Sequence, residues 1–162
     1  MRSSPIGNWL VILLTFVIAL LLEVVPLPAD WQPWRPTWAL LCLIYWTMAL
    51  PERIGLLFGW LLGLPLDVLH DVTLGQHGLA LMVVSYIDLS LHQQLRLFPR
   101  VQQALIVCVL VSLYLLLLSL MQLLISQQPW RSDRLLSALS SGLLWPLLFP
   151  LLRRLRRHYR VE

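Results

Sequence analysis

Residues 54–78, IGLLFGWLLGLPLDVLHDVTLGQHG, decide the interpretation of this chain, because they hold five of its seven glycines. Every fourth position within them is small or acidic: Gly55, Gly59, Gly63, Asp67 and Asp71. Four residues of an α-helix turn about 400°, so these positions lie nearly in line and form a strip that ends in carboxylates. Each interior glycine would cost a water-soluble helix up to about 1 kcal/mol relative to alanine. In lipid such a glycine strip lets another helix approach closely, so the pattern predicts a helix-packing surface within a membrane.

The composition of the chain is that of a membrane protein. It is 59% hydrophobic and 12% charged, with a mean hydropathy of +0.76. Crossing about 30 Å of hydrocarbon takes about 20 helical residues. We therefore predict an all-α polytopic membrane protein, a single transmembrane domain over residues 1–162, with six transmembrane helices at about 9–25, 34–50, 54–70, 74–95, 101–125 and 135–152. The second and third are short, so they either cross a thinned bilayer or form a re-entrant hairpin that turns at residues 51–53.

The arginines orient the chain, which has no lysine among its twelve basic residues. Six crossings place both termini on one side, and only Arg35, Arg131 and Arg134 fall on the other. The positive-inside rule therefore predicts cytoplasmic N- and C-termini. The basic segment 153–162 is interpreted as a topology signal that contacts anionic lipids, or alternatively as a docking site for an acidic cytoplasmic partner; its arginines are Arg153, Arg154, Arg156, Arg157 and Arg160. Nucleic-acid binding is not expected of so short a segment.

The first apolar run resembles a signal peptide, but the segment PLPAD at residues 26–30 is a poor cleavage site. We expect this run to stay as a helix. Cys42 and Cys108 lie in apolar company within predicted helices, which is typical of buried thiols. Thr73 and Gln76 fit a capping box at the start of the fourth helix. Asp88 falls well inside the membrane, as an interhelical hydrogen-bonding group or a proton-relay residue.

Polar side chains gather at the end of the third predicted helix. A charge at membrane depth normally has a partner, so we predict that Arg35 forms an ion pair with Asp67 or Asp71. His70 and His77 lie nearby in sequence, and imidazoles and carboxylates do ligate zinc, but their spacing fits no established metal site. Phosphate-binding loops, nucleophile elbows and His-Glu-x-x-His helices do not occur. The sequence therefore predicts neither an enzyme nor a metal or cofactor site.

Five segments, taken together with their order and spacing, resemble the rod-shape-determining MreD family over essentially the whole chain. They are Trp34-Arg35-Pro36-x-Trp38 leading to Tyr45-Trp46, then Leu50-Pro51-x-Arg53, the glycine strip ending in Asp67, Thr73-Leu74-Gly75, and Gly142-x-Leu144-Trp145-Pro146 before the basic segment. One departure is Ser141, where the family pattern leads us to expect an asparagine before the glycine.

The resemblance implies a multi-pass protein of the bacterial inner membrane that serves the cell-elongation machinery. Members of this family associate with the single-span protein MreC. Through MreC they act with the actin-like MreB filament, the RodA glycosyltransferase and a transpeptidase in sidewall peptidoglycan synthesis. The family fold is similar to the S-component of energy-coupling vitamin transporters.

Two functions follow as hypotheses. A non-catalytic scaffold would bind an MreC-like partner, and could form a homodimer, through packing residues that we expect to be Gly55, Gly59, Gly63, Asp67, Gly75, Gly142, Trp145 and Pro146. Leucine at Gly59 or Gly63 should then abolish recovery of the partner. The alternative is a receptor for a small molecule or lipid, which needs a pocket of a few hundred Å³ under the loop between the third and fourth helices.

Overall fold

The computed structural model describes residues 5–126, 134–159 and 161, so Arg131 and Arg160 lie outside the described residues. In those ranges the chain forms six α-helices and one 3-10 helix, with no strand. In chain order these are α1 (Pro5–Val24), the 3-10 helix (Ala29–Trp34), α2 (Trp38–Ala49), α3 (Leu56–Leu69), α4 (Gln76–Leu97), α5 (Arg100–Ser126) and α6 (Leu135–His158). The protein is therefore all-helical where it is described, as the sequence predicts.

Among the described residues, three helices are long and apolar enough to cross a membrane. The qualifying segments are Gly7–Val24, Arg100–Ile125 and Leu135–His158, in α1, α5 and α6. Helix α3 is apolar but has only 14 residues, and α2 has only 12, about 18 Å at 1.5 Å per residue. Six crossings with cytoplasmic termini therefore remain a prediction.

Helix α2 lies at the centre of the bundle, in contact with α1, α4, α5 and α6. Ten of its twelve residues are buried, on every side of the helix. A helix that is apolar all round is typical of a position enclosed by other helices. Because its neighbours shield it, α2 does not have to match the thickness of the bilayer alone. Cys42 is buried in this core, whereas Cys108 on α5 is half-buried, and both are free thiols.

Candidate functional site

The glycine strip brings α3 into backbone contact with α4. A Cβ atom added at Gly63 would lie 2.1 Å from the nitrogen of Gly78 and 2.2 Å from its Cα. One added at Gly59 would lie 2.6 Å from Oγ of Ser85. The strip is thus a packing surface at these two positions, but α4 of the same chain fills it. Within this chain, the helix that packs on Gly59 and Gly63 is α4. Gly55 precedes α3 and has no neighbouring atom within 4 Å of its added Cβ.

Asp67 organises the turn between α3 and α4. Its side chain is fully buried. It accepts hydrogen bonds from the backbone N–H of Gly75 at 2.6 Å and of His77 at 2.8 Å, and Nδ1 of His77 lies 2.8 Å from its Oδ1. Both amides belong to the start of α4, where the helix dipole favours a negative charge. Gly75 has φ 102°, which only glycine adopts readily. Asp67 therefore caps α4 from a distance.

The prediction that the side chains of Thr73 and Gln76 cap the start of α4 is wrong. The side-chain amide of Gln76 donates to Oγ1 of Thr73 rather than to a backbone group. The N-cap position of α4 is occupied by Gly75, which has no side chain that could accept a hydrogen bond. Asp67 takes the free amides instead, because the turn brings its carboxylate back over the first residues of α4.

The predicted ion pair of Arg35 is also wrong. The two terminal nitrogens of Arg35 donate to the backbone oxygens of Glu23 at 2.7 Å and of Val25 at 2.5 Å. These carbonyls end α1 and have no intrahelical partner, so a guanidinium group caps them well. The side chain beside the Asp67 carboxylate is His77, whose Nδ1 lies 2.8 Å from Oδ1. The Asp67 carboxylate already lies against two backbone amides and His77, and Asp71 is exposed.

A charge swap between Arg35 and Asp67 is therefore expected not to restore the protein. Arg35→Asp removes the cap of α1, and Asp67→Arg removes the cap of α4, so the double variant should accumulate no better than the worse single variant. Immunoblots of membrane fractions measure this. A double variant that accumulates above both single variants would show that the two side chains meet.

The small residues of α6 pack against α5 and the loop before α2. A Cβ atom added at Gly142 would lie 3.2 Å from the backbone oxygen of Ala104. Trp145 is fully buried, and its Nε1 donates to Oε1 of Gln103 at 3.3 Å. Pro146 lies within α6, which continues to His158.

Ser141 forms a hydrogen bond although it departs from the expected asparagine. Its Oγ accepts from the backbone N–H of Thr37 at 3.1 Å. One turn earlier, Oγ of Ser137 donates to the backbone oxygen of Arg35 at 2.5 Å. The two serines therefore fix the start of α2 against α6.

The basic segment begins inside α6 rather than after it, because the helix runs to His158. Arg153, Arg154 and Arg157 are exposed and Arg156 is half-buried. Cations in the last turns of a helix interact favourably with its dipole. The segment thus extends α6 as a charged helical end.

A polar cavity of about 450 Å³ lies beside the α3–α4 turn. The end of α1, the 3-10 helix, the turn, α5 and the start of α6 all contribute to its walls. Its polar lining consists of Glu23, Gln32, Arg35, Thr37, His70, Asp71, His77, Tyr114, Gln122, Arg134 and Ser137. A cavity of this size and position is what the receptor hypothesis requires. The wall formed by α5 and α6 was not predicted, because these helices are separated along the chain from the α3–α4 turn.

An apolar groove of about 660 Å³ separates α1 from α6 and has α2 as its floor. We call it the α1–α6 groove. Its apolar lining includes Ile18, Ala19 and Leu22 from α1, Trp38 and Cys42 from α2, and Leu148, Leu151, Leu152 and Leu155 from α6. Arg154 and His158 near the end of α6, and Tyr159 just after it, add polar groups.

Comparison with known proteins identifies the family. The family model described as rod shape-determining protein MreD matches residues 3–155. The rod shape-determining protein MreD of Haemophilus influenzae is 35% identical over 162 residues, which cover 100% of both chains. No solved structure matches the chain, so its likeness to a transporter S-component stays a prediction. This chain belongs to the MreD family of rod shape-determining proteins.

Proposed function

We propose that this protein is a non-catalytic scaffold of the bacterial inner membrane, which binds the transmembrane helix of an MreC-like partner in the α1–α6 groove. Membership of a shape-determining family supports the cell-shape role. Three helices that could cross a membrane support the location. The proposed position of the docking site rests on the groove itself. Through the partner, the scaffold would act with an MreB-like filament, a RodA-like glycosyltransferase and a transpeptidase in sidewall synthesis.

The groove is favoured over the glycine strip because α4 already fills the strip. Helices in lipid associate mainly through van der Waals fit, since Leu against Leu gains little over Leu against an acyl chain. A helix seated in the groove would contact α1, α2 and α6 together, because residues of all three helices line it. A single flat helix face would offer it far fewer contacts. Side chains on both walls are open to such a helix, with Ile18 48% and Leu151 63% exposed.

The polar end of the groove indicates how the partner helix would be oriented across the membrane. Arg154 and His158 lie on the basic end of α6, which the positive-inside rule assigns to the cytoplasm. A partner with acidic residues on the cytoplasmic flank of its transmembrane helix would place them here. Anionic lipid headgroups would contact the other exposed arginines, Arg153 and Arg157.

Tryptophan at Ile18 is expected to block the groove. Overfilling a packed contact costs about 1–3 kcal/mol, so recovery of a tagged MreC-like partner should fall about tenfold. Val109→Trp is the matched control, because Val109 is 66% exposed on α5 and lines neither the cavity nor the groove. Co-purification from membranes that contain equal amounts of each variant measures the effect. Equal partner recovery from both variants would remove the groove as the docking site.

Cysteine crosslinking tests the same surface without blocking it. The two native thiols are first replaced, Cys42→Ala because it lines the groove and Cys108→Ala because it is partly accessible. A single cysteine at Leu151 should then crosslink to cysteines along the partner helix, and one at Val109 should not. Crosslinking from Val109 alone would place the partner on α5.

A further inference from the structure

Two arginine side chains in the polar cavity are held in place by their own neighbours. The terminal nitrogens of Arg35 donate to the carbonyls that end α1. Its Nε is buried and has no hydrogen-bond partner. One terminal nitrogen of Arg134 donates to Oε1 of Gln122 at 2.7 Å and to Oγ of Ser119 at 3.2 Å. Fixing both guanidinium groups in advance lowers the entropic cost of binding an anion. A phosphate oxygen is a strong, charge-assisted acceptor for guanidinium N–H groups.

Two imidazole rings supply hydrogen-bond acceptors to the same cavity. His70 and His77 stack with their ring centroids 4.9 Å apart. Nδ1 of His77 lies 2.8 Å from Oδ1 of Asp67, and Nδ1 of His70 lies 2.9 Å from the backbone oxygen of Leu66. Both of these partners accept hydrogen bonds, so each ring, when neutral, carries its proton on Nδ1 and leaves Nε2 as an acceptor. Hydroxyl groups on a ligand would complement the two Nε2 atoms.

Two acidic side chains also line the cavity. Oε2 of Glu23 accepts from the backbone N–H of Trp38 at 3.1 Å, and Asp71 is exposed where the α3–α4 turn meets the cavity. Asp71 would repel a dianion more than a monoanion. Leu115 and Leu118 of α5 add an apolar wall, which suits the carbon atoms of the ligand. The lining therefore favours a singly charged phosphodiester that carries hydroxyl groups.

We propose that the polar cavity binds a phosphoglycerol group, with its phosphodiester on Arg35 and Arg134 and its hydroxyls on the two imidazoles. The volume of about 450 Å³ is sufficient for such a group. This activity lies beyond the scaffold function, because it uses neither the α1–α6 groove nor a protein partner. The group could come from a phosphatidylglycerol lipid or from a water-soluble glycerophosphodiester.

Two measurements on the full-length purified protein separate these sources. Thermal unfolding in detergent is followed as glycerophosphoglycerol is added, with glycerol and inorganic phosphate as comparisons. Native mass spectrometry is carried out after extraction from nanodiscs that contain phosphatidylglycerol and phosphatidylcholine. Selective stabilisation by glycerophosphoglycerol indicates a soluble ligand, and selective retention of phosphatidylglycerol alone indicates the lipid. Absence of both effects overturns the proposal.

Variants then locate the binding. Arg35→Gln and Arg134→Gln should each weaken binding about tenfold, which is the value of one lost charged hydrogen bond. Arg53→Gln should have no effect, because Arg53 is an exposed arginine that does not line the cavity. His70→Phe keeps an aromatic ring against His77 but removes an acceptor, so it decides the matter if the arginine variants fail to fold. Wild-type binding by all folded cavity variants overturns the assignment.

Discussion

Alanine at Gly63 is expected to prevent α3 and α4 from packing, and so to destabilise the whole protein. The added Cβ would lie 2.1 Å from a backbone nitrogen and 2.2 Å from a Cα of Gly78. Backbone atoms cannot rotate away as a side chain can, so the two helices would have to separate. Overpacking of this kind costs about 3 kcal/mol or more, a large share of the 5–15 kcal/mol typical of folded domains. The melting temperature of the purified protein in detergent measures the loss.

Gly55→Ala is the matched control for this experiment. Gly55 belongs to the same strip in the sequence, but nothing lies within 4 Å of an added Cβ, and its φ of −110° suits alanine. Its melting temperature should stay close to that of the wild type. If the Gly63→Ala and Gly55→Ala variants have the same melting temperature, the close approach of α3 and α4 at Gly63 is not formed.

The four-residue spacing of glycines was sufficient to predict a close helix contact, because glycine alone removes the side chain that keeps backbones apart. It could not identify the helix that fills the strip. The usable signal was Gly78, near the start of α4, which meets Gly63 in the structure. Because Gly63 and Gly78 face each other, Gly78 indicates that α4, rather than a partner chain, packs on the strip.

The predicted ion pair failed because it matched charges and left backbone groups out of account. The end of α1 exposes backbone carbonyls and the start of α4 exposes backbone amides. These groups carry no formal charge, yet the carbonyls bind Arg35 and the amides bind Asp67. The turn that folds Asp67 over α4 depends on positive φ angles at Asp71 and Gly75. Positive φ at a residue other than glycine has no reliable sequence signal. The partner of Asp67 was therefore out of reach of sequence reasoning.

The start of helix α2 and its burial were also not predicted from the sequence. The apolar run predicted one helix over residues 34–50, but α2 begins at Trp38 after a separate 3-10 helix. Pro36 lacks a backbone N–H and restricts the residue before it, which breaks the run. Burial on every side of α2 comes from its neighbours, which the run itself does not reveal.

Removal of the Asp67 carboxylate is expected to unfold the start of α4. Asp67→Ala leaves the backbone amides of Gly75 and His77 without acceptors, and it leaves Nδ1 of His77 unpaired. Leaving one buried donor unsatisfied costs about 1–3 kcal/mol, and Asp67→Ala leaves these three donors without their acceptor, so the loss should exceed that of one group. Asp67→Asn keeps one oxygen but turns an N–H₂ group toward a donor, so its cost should be smaller, about 1–3 kcal/mol for one unsatisfied group. Thermal unfolding should rank the proteins wild type, Asn, Ala.

Hydrogen exchange separates this cap from a general loss of stability. Opening of the first turn of α4 should speed exchange at the Gly75 and His77 amides well before the centre of α4 is affected, because only these donors lose their acceptor. Asp71→Asn removes a carboxylate four residues away at an exposed position, and asparagine tolerates its φ of 51°. Exchange at both amides should stay at the wild-type rate in that control. Wild-type protection in Asp67→Ala would mean that another group caps α4.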